Sequence, residues 1–171
     1  SSYAQGGIAA VLDPTDSVTA HMADTITAGA GLCEWEAVRR ACVEGPAVIA
    51  ELVRWGVAFD RNGGRLALGR EGAHSANRIA HAGGDATGAA IVAALRSAVT
   101  SHPDISVHAG EVAQSLDVVD GQVVGLVTTT ADGRKVRRPG RAVVLATGGS
   151  GQLFSRTTNP RGSTGDGVAL A

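Results

Sequence analysis

Six residues that can carry charge or a proton fall within sixteen consecutive positions: Arg70, Glu71, His74, Arg78, His81 and Asp85. A carboxylate such as Glu71 is the kind of acceptor a cationic substrate group needs, at about 3 Å. The alternative is that Glu71 pairs with Arg70 or Arg78 and only shapes a loop, with His74 and His81 as ordinary solvated side chains. Metal chemistry is not indicated, because His74 and His81 are separated by six residues, a spacing that fits no standard zinc site. Nucleophilic catalysis is not indicated either. The chain has no Gly-x-Ser-x-Gly, and neither Cys33 nor Cys42 lies near a histidine. Three other stretches suit close approach to a flat ligand. They are Ser1-Ser2-Tyr3-Ala4-Gln5-Gly6-Gly7, the turn Thr147-Gly148-Gly149-Ser150-Gly151, and Thr164-Gly165-Asp166-Gly167. Glycine lets backbone meet ligand without a Cβ and reaches positive φ without penalty. Plain glycine turns remain the alternative for each.

These groups need elements to hold them. Ala142–Ala146 is a short apolar run rich in β-branched residues and reads as a strand buried on both faces, ending at the glycine turn. Asp16-Ser17 starts a helix to about Ala28, with Val18, Met22 and Ile26 on one buried stripe. Trp35–Glu44 reads as a second helix, broken at Gly45-Pro46. Pro46 opens a third, with Val48, Ile49, Leu52 and Val53 facing inward and Gly56 closing it. Asp60–Gly69 reads as a polar turn. Asp85 or Thr87 caps a helix to about Thr100 whose buried side is Ile91, Val92, Leu95 and Val99. From Ile105 the period becomes two, through Val107 and Ala109. Asp120-Gly121 and Asp132-Gly133 then join three strands, Val112–Val119, Gln122–Thr130 and Lys135–Arg138.

Composition narrows the class. The 171 residues amount to one domain's worth of chain, 44% apolar but only 3% aromatic, so Ala, Val, Leu and Ile must build the core. Twenty-four glycines favour a loop-rich nucleotide-binding fold over a helical bundle, and a net charge of −1 gives no footprint for nucleic acid. No apolar run approaches the roughly 18 residues of a membrane helix. Cys33 and Cys42 read as reduced thiols of a cytosolic protein. The chain opens on Ser and stops in a run that reads as a helix's first turn, which suggests an internal piece of a longer protein. It also lacks a Gly-x-Gly-x-x-Gly after a strand, so its own residues do not declare a pyrophosphate site.

The order AQGGIA, ATGG, TNP, TGDG resembles the FAD-binding domain of the fumarate reductase and succinate dehydrogenase flavoprotein family. The string REGAHS, followed by RI and HA and then DATG, is similar to the L-aspartate oxidase branch. Asp24–Val38 resembles that branch as well. The succinate dehydrogenase branch usually carries Gly-Gly-Gln-Ser and Ala-Asp-Arg-Thr-Gly there. Two departures stand out. Ala73 replaces a glycine, which suggests that φ stays negative at that position, and Ala76-Asn77 replace residues that are often basic.

The resemblance implies an α/β fold: residues 1–171 as part of one two-dinucleotide, Rossmann-like FAD-binding domain with an inserted antiparallel β-meander. The pyrophosphate motif and the capping and helical domains would lie outside the chain. FAD is the implied cofactor. Ser1, Ser2, Tyr3, Ala4, Gln5, Gly6 and Gly7 would line the flavin and ribityl chain. Val112 and Ala113 would meet the adenine end, and Ala146, Thr147, Gly148, Gly149 and Asp166 would complete the shell. Glu71 would orient substrate. The implied activity is oxidation of L-aspartate to iminoaspartate by hydride transfer to FAD, with oxygen or fumarate as acceptor, opening de novo NAD biosynthesis in the cytoplasm. Quinolinate synthase is the implied protein partner. The alternatives are a fumarate reductase or succinate dehydrogenase flavoprotein subunit, or an FAD-domain fragment inactive by itself.

Overall fold

A computed structural model describes residues 2–171; Ser1, assigned above to the flavin, lies outside them. The chain forms two compact units, residues 1–105 and 106–171. In the first unit a three-stranded antiparallel sheet is built from β1 (Ile8–Ala9), β4 (Leu68–Gly69) and β5 (Ile79–Ala80), in the order β1-β5-β4. A small hairpin, β2 (Arg61–Asn62) with β3 (Arg65–Leu66), takes up part of the expected polar turn. Three helices complete the unit: α1 (Val18–Ala28), α2 (Trp35–Arg54) and α3 (Thr87–Ser101). The core is Ala10, Ile49, Leu52, Val57, Phe59, Ala80 and Ala82, with Ala90, Ile91, Ala94 and Leu95 of α3 packed against it. It is aliphatic apart from Phe59, as the low aromatic content requires.

Ser17 caps α1, its hydroxyl accepting from the Ala20 N–H at 3.1 Å. The buried residue of α1 is His21, whereas Ile26 is exposed and Val18 and Met22 are only partly covered. The expected Val18–Met22–Ile26 stripe therefore does not form the inner face. Polar partners described below turn the helix about its axis. Helices α2 and the expected third are one 20-residue helix running through Pro46. An interior proline costs about 3 kcal/mol. Val38, Cys42, Ile49 and Leu52 lie buried on one face across it, and each buried side chain contributes about 1.5–3 kcal/mol. Packing therefore outweighs the break. Gly45 also lets the helix approach β1, since a Cβ there would sit 3.3 Å from the Ala10 Cβ. Neither Asp85 nor Thr87 caps α3. The N-cap is Ala86, and the Thr87 hydroxyl instead accepts from the Ala82 N–H at 3.1 Å. On α3, Val92 and Val99 face outward, and the alanines take the inner face with Ile91 and Leu95.

The second unit is organised on an antiparallel sheet of β6 (Val112–Val119), β7 (Gln122–Thr129) and β8 (Lys135–Pro139). Asp120 and Gly121 join β6 to β7 with φ of 49° and 77°, the two positive values of a type I′ turn. Two expected strands are absent. Ile105, Val107 and Ala109 alternate but make no ladder, and Ile105 and Val107 are exposed. Ala142–Ala146 likewise pairs with nothing, and Val144 is 86% exposed. A strand of that composition needs neighbours on both edges, and no described strand offers one. A short helix, α4 (Asp166–Leu170), packs beside β6.

Ala73 carries a φ of 70°, opposite to the expectation from its missing glycine. It sits in a tight turn closed by the His74 N–H donating to the Glu71 carbonyl at 3.3 Å. A Cβ in that region costs about 1–2 kcal/mol. Ala73→Gly removes the strain and gives back about 0.4–1 kcal/mol through unfolded-state entropy. Chemical denaturation should show the variant stabilised by about 1 kcal/mol; a lower midpoint would refute the strain.

Candidate functional site

In the first unit the candidate loop, residues 70–78, is anchored by Arg78. Its side chain is wholly buried. Nε and Nη2 donate to the two carboxylate oxygens of Asp16 at 2.8 and 2.7 Å, and Nη1 donates to Asp24 Oδ2 at 2.6 Å. The same Asp24 oxygen accepts the Ser75 N–H and hydroxyl, both at 2.7 Å. Arg78 Nη1 also lies 3.2 Å from His74 Nδ1. A guanidinium only donates, so Nδ1 accepts and the His74 proton sits on Nε2. Hydrogen bonds from Arg78 hold Asp16 below the usual carboxylate range. Those from Ser75, backbone first, do so for Asp24. Burial, then the charge of Arg78, pushes His21 down, so it stays neutral.

This cluster explains why α1 turns His21 and Asp24 inward. It was missed from sequence because Asp16 and Asp24 lie 62 and 54 positions from Arg78. One signal was available. His21 and Asp24, three apart on a helix, form a polar stripe beside the apolar one.

Glu71 does not pair with Arg70 or Arg78. Its Oε1 faces His81 Nε2 at 3.2 Å, and its side chain is 53% exposed. A Cβ built on Gly6 would lie 3.9 Å from the same oxygen, so Glu71 stands beside the AQGG backbone. Ser2 to Gly6 form an exposed run tied down where Ala4 O accepts the Gly88 N–H at 3.0 Å. Gly7 is pressed onto β5. A Cβ there would come within 2.5 Å of the Ala80 carbonyl oxygen. Asp60 is fully engaged, its carboxylate accepting the Gly83 and Gly84 N–H at 3.0 and 3.1 Å.

In the second unit the two glycine turns meet. Gly165 N–H donates to the Gly149 carbonyl at 3.2 Å, and buried Gly167 abuts the Thr147 side chain so closely that no Cβ would fit. Gly148 has φ of 76°, and open space lies where a Cβ of Gly148 or Gly149 would point. Ala146 to Gly149 and Asp166 are each exposed. The Asp166 carboxylate accepts the Thr164 hydroxyl at 2.6 Å through one oxygen, leaving the other available. Val112 and Ala113 open β6, opposite Thr129 and Thr128.

Bare glycine backbone beside an acceptor carboxylate fits a flavin nucleotide, whose ring presents a flat face and whose sugar chains present hydroxyls. Cys33 and Cys42 are free thiols, and among the described residues no helix is long and apolar enough to cross a membrane.

Comparison with known proteins agrees with this chemistry. The L-aspartate oxidase of Synechocystis is 48% identical over 173 residues, taking in 100% of this chain and 31% of that protein. That of Mycobacterium bovis is 49% identical over 170 residues, 98% of this chain and 32% of the relative. The chain therefore spans about a third of the curated relatives it matches. Among solved structures, the FrdA chain of an E. coli quinol fumarate reductase superposes with a TM-score of 0.90 at 32% identity, covering 99% of this chain and 29% of that one. Mycobacterium smegmatis Sdh1 in complex with UQ1 superposes with 0.89, also at 32%, covering 99% and 31%. The FAD binding domain family model matches residues 1–171 from end to end, and the chain belongs to that family, with FAD as its cofactor.

Proposed function

We infer that the whole protein is an L-aspartate oxidase, oxidising L-aspartate to iminoaspartate by hydride transfer to FAD, with oxygen or fumarate as final acceptor. The observation that carries this reading is Glu71, an exposed carboxylate beside the AQGG backbone, with its near arginine committed elsewhere. It supplies what an amine-bearing dicarboxylate needs and a plain dicarboxylate does not. The similarity to named L-aspartate oxidases, at 48–49% identity against 32% for the fumarate reductase and succinate dehydrogenase chains, favours the same choice.

Both units are parts of one two-dinucleotide, Rossmann-like FAD-binding domain, with the β6–β8 sheet as its inserted meander. Ser1 to Gly7 line the flavin and ribityl chain, Val112 and Ala113 meet the adenine end, and Ala146 to Gly149 and Asp166 complete the shell. Bound FAD would supply the hydride-acceptor chemistry, and the chain's own residues position substrate and set local charge. Glu71 orients the substrate through its amino group. The loop that Arg78 anchors holds that carboxylate in place. The protein works in the cytoplasm, taking L-aspartate and fumarate and passing iminoaspartate toward quinolinate synthase.

Anaerobic addition of L-aspartate to the purified full-length flavoprotein should bleach the oxidised flavin's visible absorbance and yield oxaloacetate and ammonia from hydrolysed iminoaspartate. Bleaching by succinate, with none by L-aspartate, would favour the dehydrogenase reading instead.

A further inference from the structure

Among the described residues His81 is the side chain that pairs with Glu71, and its ring is held on two sides by glycine backbone. A Cβ on Gly7 would lie 2.7 Å from His81 Cδ2, and one on Gly69 would lie 3.5 Å from Cε1. The His81 carbonyl accepts the Asp60 N–H at 2.8 Å, which fixes the main chain beneath. An ionised carboxylate only accepts, so Nε2 carries the proton and donates it to Glu71 Oε1 across 3.2 Å. One oxygen of Glu71 is then occupied and the other remains free. Among the described residues, no other charged side chain is paired with His81. Asp60 is engaged by Gly83 and Gly84, and Arg78 by Asp16 and Asp24.

We propose that His81 is a specificity-determining positioning residue, which aims Glu71 Oε2 at the substrate's amino group by holding Oε1. This rests on the reading of Glu71 given above. Affinity for L-aspartate therefore depends on His81, and affinity for succinate, which has no amine, does not.

The test uses full-length flavoprotein with its flavin reduced beforehand, so that bound L-aspartate is not oxidised. Calorimetry at one neutral pH gives dissociation constants for L-aspartate and succinate. His81→Phe should weaken L-aspartate binding by roughly threefold to tenfold, the range of one ordinary hydrogen bond, and leave succinate unchanged. His81→Gln keeps an N–H donor and should bind L-aspartate nearly as the parent does. If both His81 variants keep the parent's ratio of L-aspartate to succinate affinity while Glu71→Ala changes it, the role of His81 is overturned and that of Glu71 stands. If Glu71→Ala leaves the ratio unchanged, the reading of Glu71 fails first.

Discussion

Arg78→Ala in the full-length protein should lose about 3–5 kcal/mol of stability, the cost of removing one partner from a buried ion pair. The guanidinium is fully buried and the Asp16 carboxylate 1% exposed, so truncation strands a charge that water cannot reach. Whole domains are stable by about 5–15 kcal/mol, so this loss takes much of the margin. Arg78→Lys should be only partly tolerated, because an ammonium cannot span both Asp16 oxygens while reaching Asp24. Combining Arg78→Met with Asp16→Leu should cost less than the sum of the single changes, since the stranded charge is gone. Urea unfolding of Arg78→Ala, Arg78→Lys, the double variant and its two single changes measures this. A loss below about 1 kcal/mol for Arg78→Ala would show that the cluster does not anchor the loop.

Acid acts on the same cluster, and the sign follows from the directions of the shifts. Asp16 and Asp24 are held below their ordinary value of 3.8, so their contribution is complete above that pH and is lost as pH falls below it. His21 is pushed below its ordinary 6.5, so the unfolded chain takes up that proton first as pH drops through this value. Both effects favour unfolding in acid. In Arg78→Ala the Asp16 carboxylate gains by protonation, so the gap between parent and variant should narrow below about pH 4.

What the sequence revealed depended on how local the cause was. The Asp120-Gly121 turn, the Ser17 cap and the end of α2 at Gly56 each rest on a residue's own backbone or hydroxyl, and each formed as expected. Pro46 is local too, yet burial on either side of it overrode the break. Ala73 runs against its expectation because the turn keeps its positive φ without the glycine, and the alanine bears the strain. Arg78 was visible as a residue, but its partners were not, because pairing across more than fifty positions leaves no spacing to read. Ala142–Ala146 has a strand's composition without a ladder, because composition expresses a preference for burial and does not provide the neighbours. At the candidate site, the glycine turns and Glu71 were legible as types. That Glu71 faces His81 and not an arginine was not.

Glu71→Ala should cut kcat/KM for L-aspartate by roughly tenfold to a hundredfold, which corresponds to about 1.5–3 kcal/mol for a lost bond to a charged group. L-Aspartate differs from succinate by one amino group, cationic near neutral pH, so recognising it requires an acceptor, and an anionic one serves best. Three other acids of this unit are engaged elsewhere. Asp16 and Asp24 serve Arg78, and Asp60 accepts two backbone N–H groups. Asp85 is exposed and does not cap α3, so Asp85→Ala is the control that should leave L-aspartate oxidation unchanged. Glu71 stands beside Gly6, in the segment assigned to the flavin, with Arg78 unable to neutralise it. The competing account is that Glu71 and His81 merely brace the loop against β5. The two accounts separate on substrate. Fumarate carries no amine, so its reduction by the reduced flavin should fall far less than L-aspartate oxidation when Glu71 is truncated. A brace would be lost to both reactions alike, so an equal drop in the two activities would leave Glu71 as scaffold and remove the basis for preferring L-aspartate.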